Sequence, residues 1–205
     1  MNFEVLDNGF QVLALLGAAG TAFWFALRRQ SRACLILALG YTSFAFGTLF
    51  FVLHLAILGY VPQIFYVAES SWLAAYLFFL SYQILRCEPA GICFSLPALL
   101  AALAAAAAAE VLRIFGPSWL MSTLFAATAG ALVYLAVVLL PQHTQPVSRR
   151  IDGCLIAAVL LQLGNYLVSI FITDYTHFNL YFAVDILLTL NLIRLLPLTV
   201  REDMP

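Results

Sequence analysis

The sequence predicts an all-α integral membrane protein, a single domain over residues 1–205 folded as a bundle of seven transmembrane helices. Composition is the first observation behind this fold class. Hydrophobic residues make up 64% of the chain and charged residues only 9%, whereas an ordinary soluble domain has roughly 25% charged residues. The second observation is the presence of long apolar runs that lack the alternation of polar and apolar residues typical of strands. Such runs favour helices, because a helix satisfies its own backbone hydrogen bonds in lipid.

Seven apolar stretches approach the length of about 20 residues that a transmembrane helix needs. The predicted helices are Phe10–Leu27, Ala33–Leu58, Gln63–Leu85, Gly91–Ala109, Trp119–Leu140, Gly153–Thr173 and Leu180–Leu196. The fourth is the least hydrophobic, since it contains an alanine run, and Pro97 is expected to kink it. Pro197 predicts the end of the seventh helix.

The distribution of arginine predicts the orientation of these helices. With seven spans, eight arginines fall on one side: Arg28, Arg29, Arg32, Arg86, Arg149, Arg150, Arg194 and Arg201. The opposite side has Arg113 together with Glu4, Asp7, Glu110, Asp174 and His177. Because positive residues favour the cytoplasmic side, the N-terminus is predicted outside and the C-terminus in the cytoplasm. The expected location is a bacterial inner or plasma membrane.

Small residues in the first two predicted helices indicate close helix packing. The first contains Gly17-Ala18-Ala19-Gly20, and the second has Gly40, Ser43 and Gly47 at helical spacing. Such stripes let helix backbones approach closely in lipid. Packing within one bundle is the favoured interpretation, and a homodimer seam is the alternative.

Polar side chains within the apolar stretches predict a functional site. Ionisable residues in a membrane segment are energetically expensive, so each one is a functional candidate. At about 1.5 Å of rise per residue, these groups cluster in the outer half, on helix faces that they share with tyrosines. The candidate ligand-binding residues are His54, Tyr66, Glu69, Gln162, Asn165, Tyr181 and Asp185. Polar atoms among apolar walls are typical of a small-ligand pocket, although mutual hydrogen bonding that only fixes the packing remains the alternative.

Several kinds of chemistry have no sequence support. The chain has no GxGxxG, P-loop, HExxH or GxSxG motif, and its four cysteines match no zinc spacing. We therefore expect no catalytic residues, no metal and no cofactor. All nine basic residues are arginines without a basic block, which argues against nucleic acid as a partner.

The stretch from Arg28 to Arg86 carries a resemblance to a known class of proteins. It contains Arg28-Arg29 and Arg32, then Leu39-Gly40-Tyr41, Phe46-Gly47-Thr48-Leu49, Pro62, Glu69-Ser70-Ser71-Trp72 and Arg86. This pattern resembles the seven-helix membrane sensor regions of bacterial diguanylate cyclases and histidine kinases. Those proteins continue into a cytoplasmic output domain, whereas this sequence stops at Pro205. The resemblance implies either an excised sensor or a standalone relative that needs a partner.

The sequence thus favours a sensing or ligand-binding module in the lipid bilayer. A small molecule or ion would bind in the outer half, and the change would pass to a cytoplasmic signalling partner. A small secondary transporter using the same carboxylates is the first alternative. An integral-membrane enzyme acting on lipids is the second.

Overall fold

The computed structural model describes residues 3–60, 66–87, 94–112 and 118–203. Within these ranges the chain is entirely α-helical apart from short connections, and no strand is present. The seven helices are α1 (Phe3–Arg29), α2 (Arg32–Leu58), α3 (Tyr66–Cys87), α4 (Leu96–Leu112), α5 (Trp119–Gln142), α6 (Pro146–Ser169) and α7 (Leu180–Glu202). The all-α prediction is confirmed.

Five of these helices, α1, α2, α5, α6 and α7, are long and apolar enough to cross a membrane. The helix α4 is apolar but has only 17 residues, and α3 carries Glu69, Gln83 and Arg86 along its length. Large apolar side chains project outward from the helices, among them Leu13 at 74% exposure and Phe171 at 78%. A surface of this kind suits lipid, because water would penalise so much exposed apolar area.

The two ends of the structure differ in the charged residues that they contain. The carboxylate end, where α1 begins and α2 ends, contains Glu4, Asp7, Glu69 and Asp174. The arginine end, where α1 ends and α2 begins, contains Arg28, Arg32, Arg86, Arg149 and Arg201. At the carboxylate end, the α6–α7 connection reaches the start of α1, where the Phe3 amide donates to the Thr176 carbonyl at 3.2 Å.

Helix α1 begins seven residues before the expected start at Phe10. Its first turns contain Glu4, Asp7, Asn8 and Gln11, and all four side chains are buried. Hydropathy placed Glu4, Asp7 and Asn8 outside the membrane span, but these side chains are buried in the interior of the protein. Helix α6 likewise begins at Pro146 rather than Gly153, since proline fits the first helical turn.

Neither of the two predictions made from proline, a helix end at Pro197 and a kink at Pro97, agrees with the structure. Pro197 does not end α7, which continues through it to Glu202. Beyond this proline the helix is anchored by buried Thr199, whose hydroxyl lies 2.7 Å from the Tyr82 hydroxyl. Pro97 is the second residue of α4, where a proline removes no helical hydrogen bond, so the expected kink has no cause there. The predicted starts Gly91 and Gln63 lie outside the described residues.

Close packing of α2 on α3 explains one of the two small-residue stripes. A Cβ atom added to Gly47 would lie 2.8 Å from the Trp72 ring and 2.9 Å from the Ala68 carbonyl oxygen. A Cβ atom on Gly40 would lie 2.9 Å from the Phe79 ring. In α1, by contrast, Gly20 is exposed and an added Cβ would meet nothing within 4 Å. The α2 stripe therefore serves packing within the chain.

Candidate functional site

A cavity of about 370 Å³ lies at the carboxylate end of the structure. Its volume falls within the range of about 300–1,000 Å³ that is typical of small-molecule sites. Every one of the seven helices contributes to its wall, for example through Gln11, Phe44, Glu69, Leu112, Phe125, Asn165 and Asp185. The cavity is therefore a property of the whole fold rather than of one helix pair.

Five of the seven candidate residues line this cavity. They are Glu69, Gln162, Asn165, Tyr181 and Asp185. The other two lie outside it. The His54 Nδ1 atom is 3.0 Å from the Tyr60 carbonyl oxygen, and Tyr66, the first residue of α3, is 56% exposed. Residues near the end of a helix can turn away from the interior even when their spacing matches the polar face.

Asp185 is the centre of a buried hydrogen-bond network. The Asn165 amide donates to Asp185 Oδ1 at 2.7 Å, and the Gln11 amide donates to Asp185 Oδ2 at 2.8 Å. Gln11 also donates to the Thr189 hydroxyl at 2.9 Å and accepts from the Thr48 hydroxyl at 2.7 Å. The network joins α1, α2, α6 and α7, and it fully occupies the Gln11 side chain.

Asp7 is a buried member of this site that sequence reasoning missed. It is 3% exposed, and its carboxyl group lies near that of Asp185, since the two groups interact electrostatically. A signal was present in the sequence, because Glu4, Asp7, Asn8 and Gln11 follow the spacing of one helix face.

Three buried polar atoms in the described part of the chain have no donor. They are Asp7 Oδ2, Glu69 Oε2 and Asn165 Oδ1. All three are acceptors, all lie at the carboxylate end, and Glu69 and Asn165 line the cavity. Buried polar atoms in proteins are nearly always hydrogen-bonded. The cavity thus offers hydrogen-bond acceptors that the protein itself does not satisfy.

Aromatic rings form much of the remaining wall. The rings of Tyr76 and Phe125 meet edge to face, with centroids 5.0 Å apart, and Phe125 meets Tyr166 in the same way at 5.7 Å. The Tyr76 hydroxyl donates to the Ala158 carbonyl at 3.1 Å. The Trp72 indole N–H donates to the Thr48 hydroxyl at 3.3 Å. These contacts fix the rings in place before any ligand arrives.

A second buried polar cluster lies at the arginine end. Arg86 Nη1 is 2.6 Å from Asp152 Oδ1, and Arg86 Nη2 is 3.0 Å from Glu202 Oε1. Asp152 is fully buried, accepts from Gln83 at 2.8 Å, and lies 2.7 Å from His143 Nδ1. The sequence used Arg86 as an orientation signal and as part of the Arg28–Arg86 resemblance, and assigned it no partner. In the fold this arginine joins α3 to α6 and α7.

An apolar layer separates the cavity from the arginine-end cluster. Along α3, Phe79 lies between Tyr76 and Gln83, and along α6, Leu155 lies between Asp152 and Gln162. The fully buried members of this layer include Leu15, Tyr41, Phe79, Leu155 and Leu192. In the described residues the polar groups therefore form two separate sites rather than one continuous track.

No family model, curated protein or solved structure matches this chain. The geometry of the cavity is therefore the basis for any functional conclusion. Its buried acceptors can bind a hydrogen-bond donor or a cation.

Proposed function

We propose that this chain is a ligand-binding sensor module of a cell membrane, which takes up a small molecule in the cavity at its carboxylate end. One observation carries the proposal: all seven helices contribute to a cavity that exposes two buried acceptors without donors, Glu69 Oε2 and Asn165 Oδ1. A site meant only to fix packing would pair these atoms with protein donors. The resemblance of residues 28–86 to bacterial sensor regions favours the same function.

In this proposal all seven helices cross the membrane, with the N-terminus outside and the C-terminus in the cytoplasm. The separation of the carboxylate end from the arginine end supports it, because arginine favours the cytoplasmic side. We expect a green fluorescent reporter fused after Pro205 to be fluorescent in cells, and an alkaline phosphatase at the same position to be inactive. An active phosphatase fusion with a dark fluorescent fusion would reverse the orientation.

Three helices connect the cavity to the arginine end. Helix α3 carries Glu69 and Arg86, α6 carries Asn165 and Asp152, and α7 carries Asp185 and Glu202. A ligand that contacts these helices differently in two arrangements shifts the population toward one of them. The arginine-end cluster moves with the same helices, and a cytoplasmic partner could read its position.

A permease with the same carboxylates is less well supported. Alternating access needs polar groups along a path through the membrane. Here the fully buried residues Tyr41, Phe79 and Leu155 separate the two polar sites. This layer favours a binding function over a transport function.

Ligand-induced stabilisation of the full chain in detergent tests the proposal. A ligand that binds only the folded state raises the melting temperature in a concentration-dependent manner. In a screen of small cations, neutral molecules and anions, we expect at least one compound to stabilise the protein, and Glu69→Gln to abolish or sharply reduce its effect. Asp174→Asn is the matched control, since Asp174 lies in the exposed α6–α7 connection at the same end.

The control removes a comparable charge. Hydrogen bonds from the Thr176 hydroxyl and amide hold the pKa of the Asp174 carboxyl below its usual value, so Asp174→Asn also eliminates a full negative charge. A panel without any stabilising compound would contradict the proposed function. So would stabilisation that Glu69→Gln leaves unchanged.

A further inference from the structure

Donors and acceptors in the cavity wall differ in how many hydrogen bonds they already make within the protein. Four of its donor side chains are engaged within the protein: Gln11, Asn165 and Trp72 each donate to protein oxygens, and Tyr76 donates to a backbone carbonyl. The buried atoms without partners are acceptors only, among them Glu69 Oε2 and Asn165 Oδ1. A ligand that bonds these two buried atoms must therefore bring hydrogen-bond donors.

The charged groups in the cavity wall also favour a ligand with N–H donors, in particular a cation. Three carboxyl groups line the cavity, those of Glu4, Glu69 and Asp185, and the buried carboxyl group of Asp7 lies near that of Asp185. None of the described lining residues is an arginine, lysine or histidine. Close to these carboxylates, in surroundings of low dielectric constant, an anion is repelled and a cation is attracted far more strongly than in water.

The Asn165 carbonyl oxygen is an independent sign of a ligand. Asn165 is only 3% exposed, and its amide nitrogen is held at 2.7 Å from Asp185. This contact fixes the orientation of the side chain, so that Oδ1 is directed away from Asp185 and stays without a donor. The unsatisfied acceptor belongs to a residue of the cavity wall, where a bound molecule can reach it.

The size and walls of the cavity favour an organic cation over a metal ion. A metal such as calcium requires about six to eight oxygen ligands, whereas the wall offers two oxygens without donors. Most of the wall is apolar or aromatic, including Trp72, Tyr76 and Phe125. Aromatic faces attract ammonium groups through cation–π contact, and they also cover the apolar part of an organic molecule.

We infer that the ligand is a small organic amine with an apolar body, whose ammonium group bonds Glu69 Oε2 and Asn165 Oδ1 while the aromatic wall surrounds the rest. This inference rests on the proposed function and specifies its ligand class. An ammonium group has three N–H donors and no acceptor, so it can bond the two buried acceptors that have no donor in the protein. Its charge also compensates the Glu69 carboxylate, which is otherwise costly to bury.

Three probes with one ring and different charges test the inference. They are 2-phenylethylamine, the neutral 2-phenylethanol and the anionic phenylacetate, each titrated into the full chain in detergent. Binding is followed by the melting temperature and by the fluorescence of Trp72 in a Trp24→Phe/Trp119→Phe background. Both replaced tryptophans are at least half exposed and lie outside the cavity wall.

We expect 2-phenylethylamine to bind saturably, at least tenfold more tightly than the alcohol, with no response to phenylacetate. Glu69→Gln should weaken amine binding at least tenfold and reduce the preference over the alcohol. Asn165→Leu should also weaken it, and Asp174→Asn should have no effect. Loss of binding in a correctly folded variant is distinguished from unfolding by the unliganded melting curve.

The possible failures separate the ligand class from the proposed function. If the alcohol or phenylacetate binds through Glu69 and Asn165 and the amine does not, the amine inference is overturned while a ligand-binding site stands. If the amine responds equally in wild type, Glu69→Gln and Asn165→Leu, it binds elsewhere or partitions into the micelle, and the inference is again overturned. If no compound in the wider screen stabilises the chain, the proposed function itself fails.

Discussion

Asp152→Ala is expected to destabilise the folded chain by about 3–5 kcal/mol, the loss typical of removing one partner from a buried ion pair. Asp152 is fully buried, and its side chain accepts from Arg86 and Gln83 and contacts His143. Removing the carboxylate leaves a buried guanidinium whose remaining acidic partner among the described residues is the partly exposed Glu202. The penalty therefore comes mainly from the weaker charge compensation of Arg86 rather than from lost packing.

Two further variants isolate this cause. Glu202→Ala should destabilise less, because Glu202 is partly exposed and water can replace it. The double variant Arg86→Leu/Asp152→Leu should be more stable than Asp152→Ala, since apolar residues can replace a buried ion pair at little cost. Reversible unfolding of the detergent-solubilised chain measures all three. A double variant that is less stable than Asp152→Ala would contradict this explanation.

The arginine-end cluster shows what composition and spacing cannot reveal. The sequence correctly predicted an all-α fold, because apolar length is a strong local signal. It assigned no structural role to Arg86 or Asp152, since a charged residue at a helix end normally faces water or lipid headgroups. Their pairing depends on how α3, α6 and α7 pack, and helical periodicity within one segment carries no information on the partner helix.

The sequence predicted some of the residues that line the cavity but missed others. Helical spacing grouped Glu69, Asn165 and Asp185 at one end of the molecule, and the structure places all three on one cavity. Hydropathy, however, started the first helix at Phe10 and so excluded Asp7 from the interior. A hydropathy window measures suitability for lipid, whereas the Asp7 side chain is buried inside the protein.

Gly47→Val is expected to destabilise the chain by about 1–3 kcal/mol, the range typical of overpacking, and to abolish the response to ligand. A Cβ atom at this position would lie 2.8 Å from the Trp72 ring and 2.9 Å from the Ala68 carbonyl oxygen. The ring can rotate away, but a backbone oxygen in α3 cannot move without moving the helix. Since Trp72 lines the cavity, the added side chain changes the binding site as well.

Gly20→Val is the matched control for this substitution, because Gly20 also lies within a helix but an added Cβ meets nothing within 4 Å. We expect its melting temperature and its ligand response to stay near those of the wild type. Greater loss from Gly20→Val than from Gly47→Val would show that α1 packs against something outside this chain, as a homodimer would require. We expect Gly47→Val to be the more destabilising of the two variants because Gly47 permits the close approach of α2 to α3. This approach brings the Trp72 indole nitrogen within 3.3 Å of the Thr48 hydroxyl.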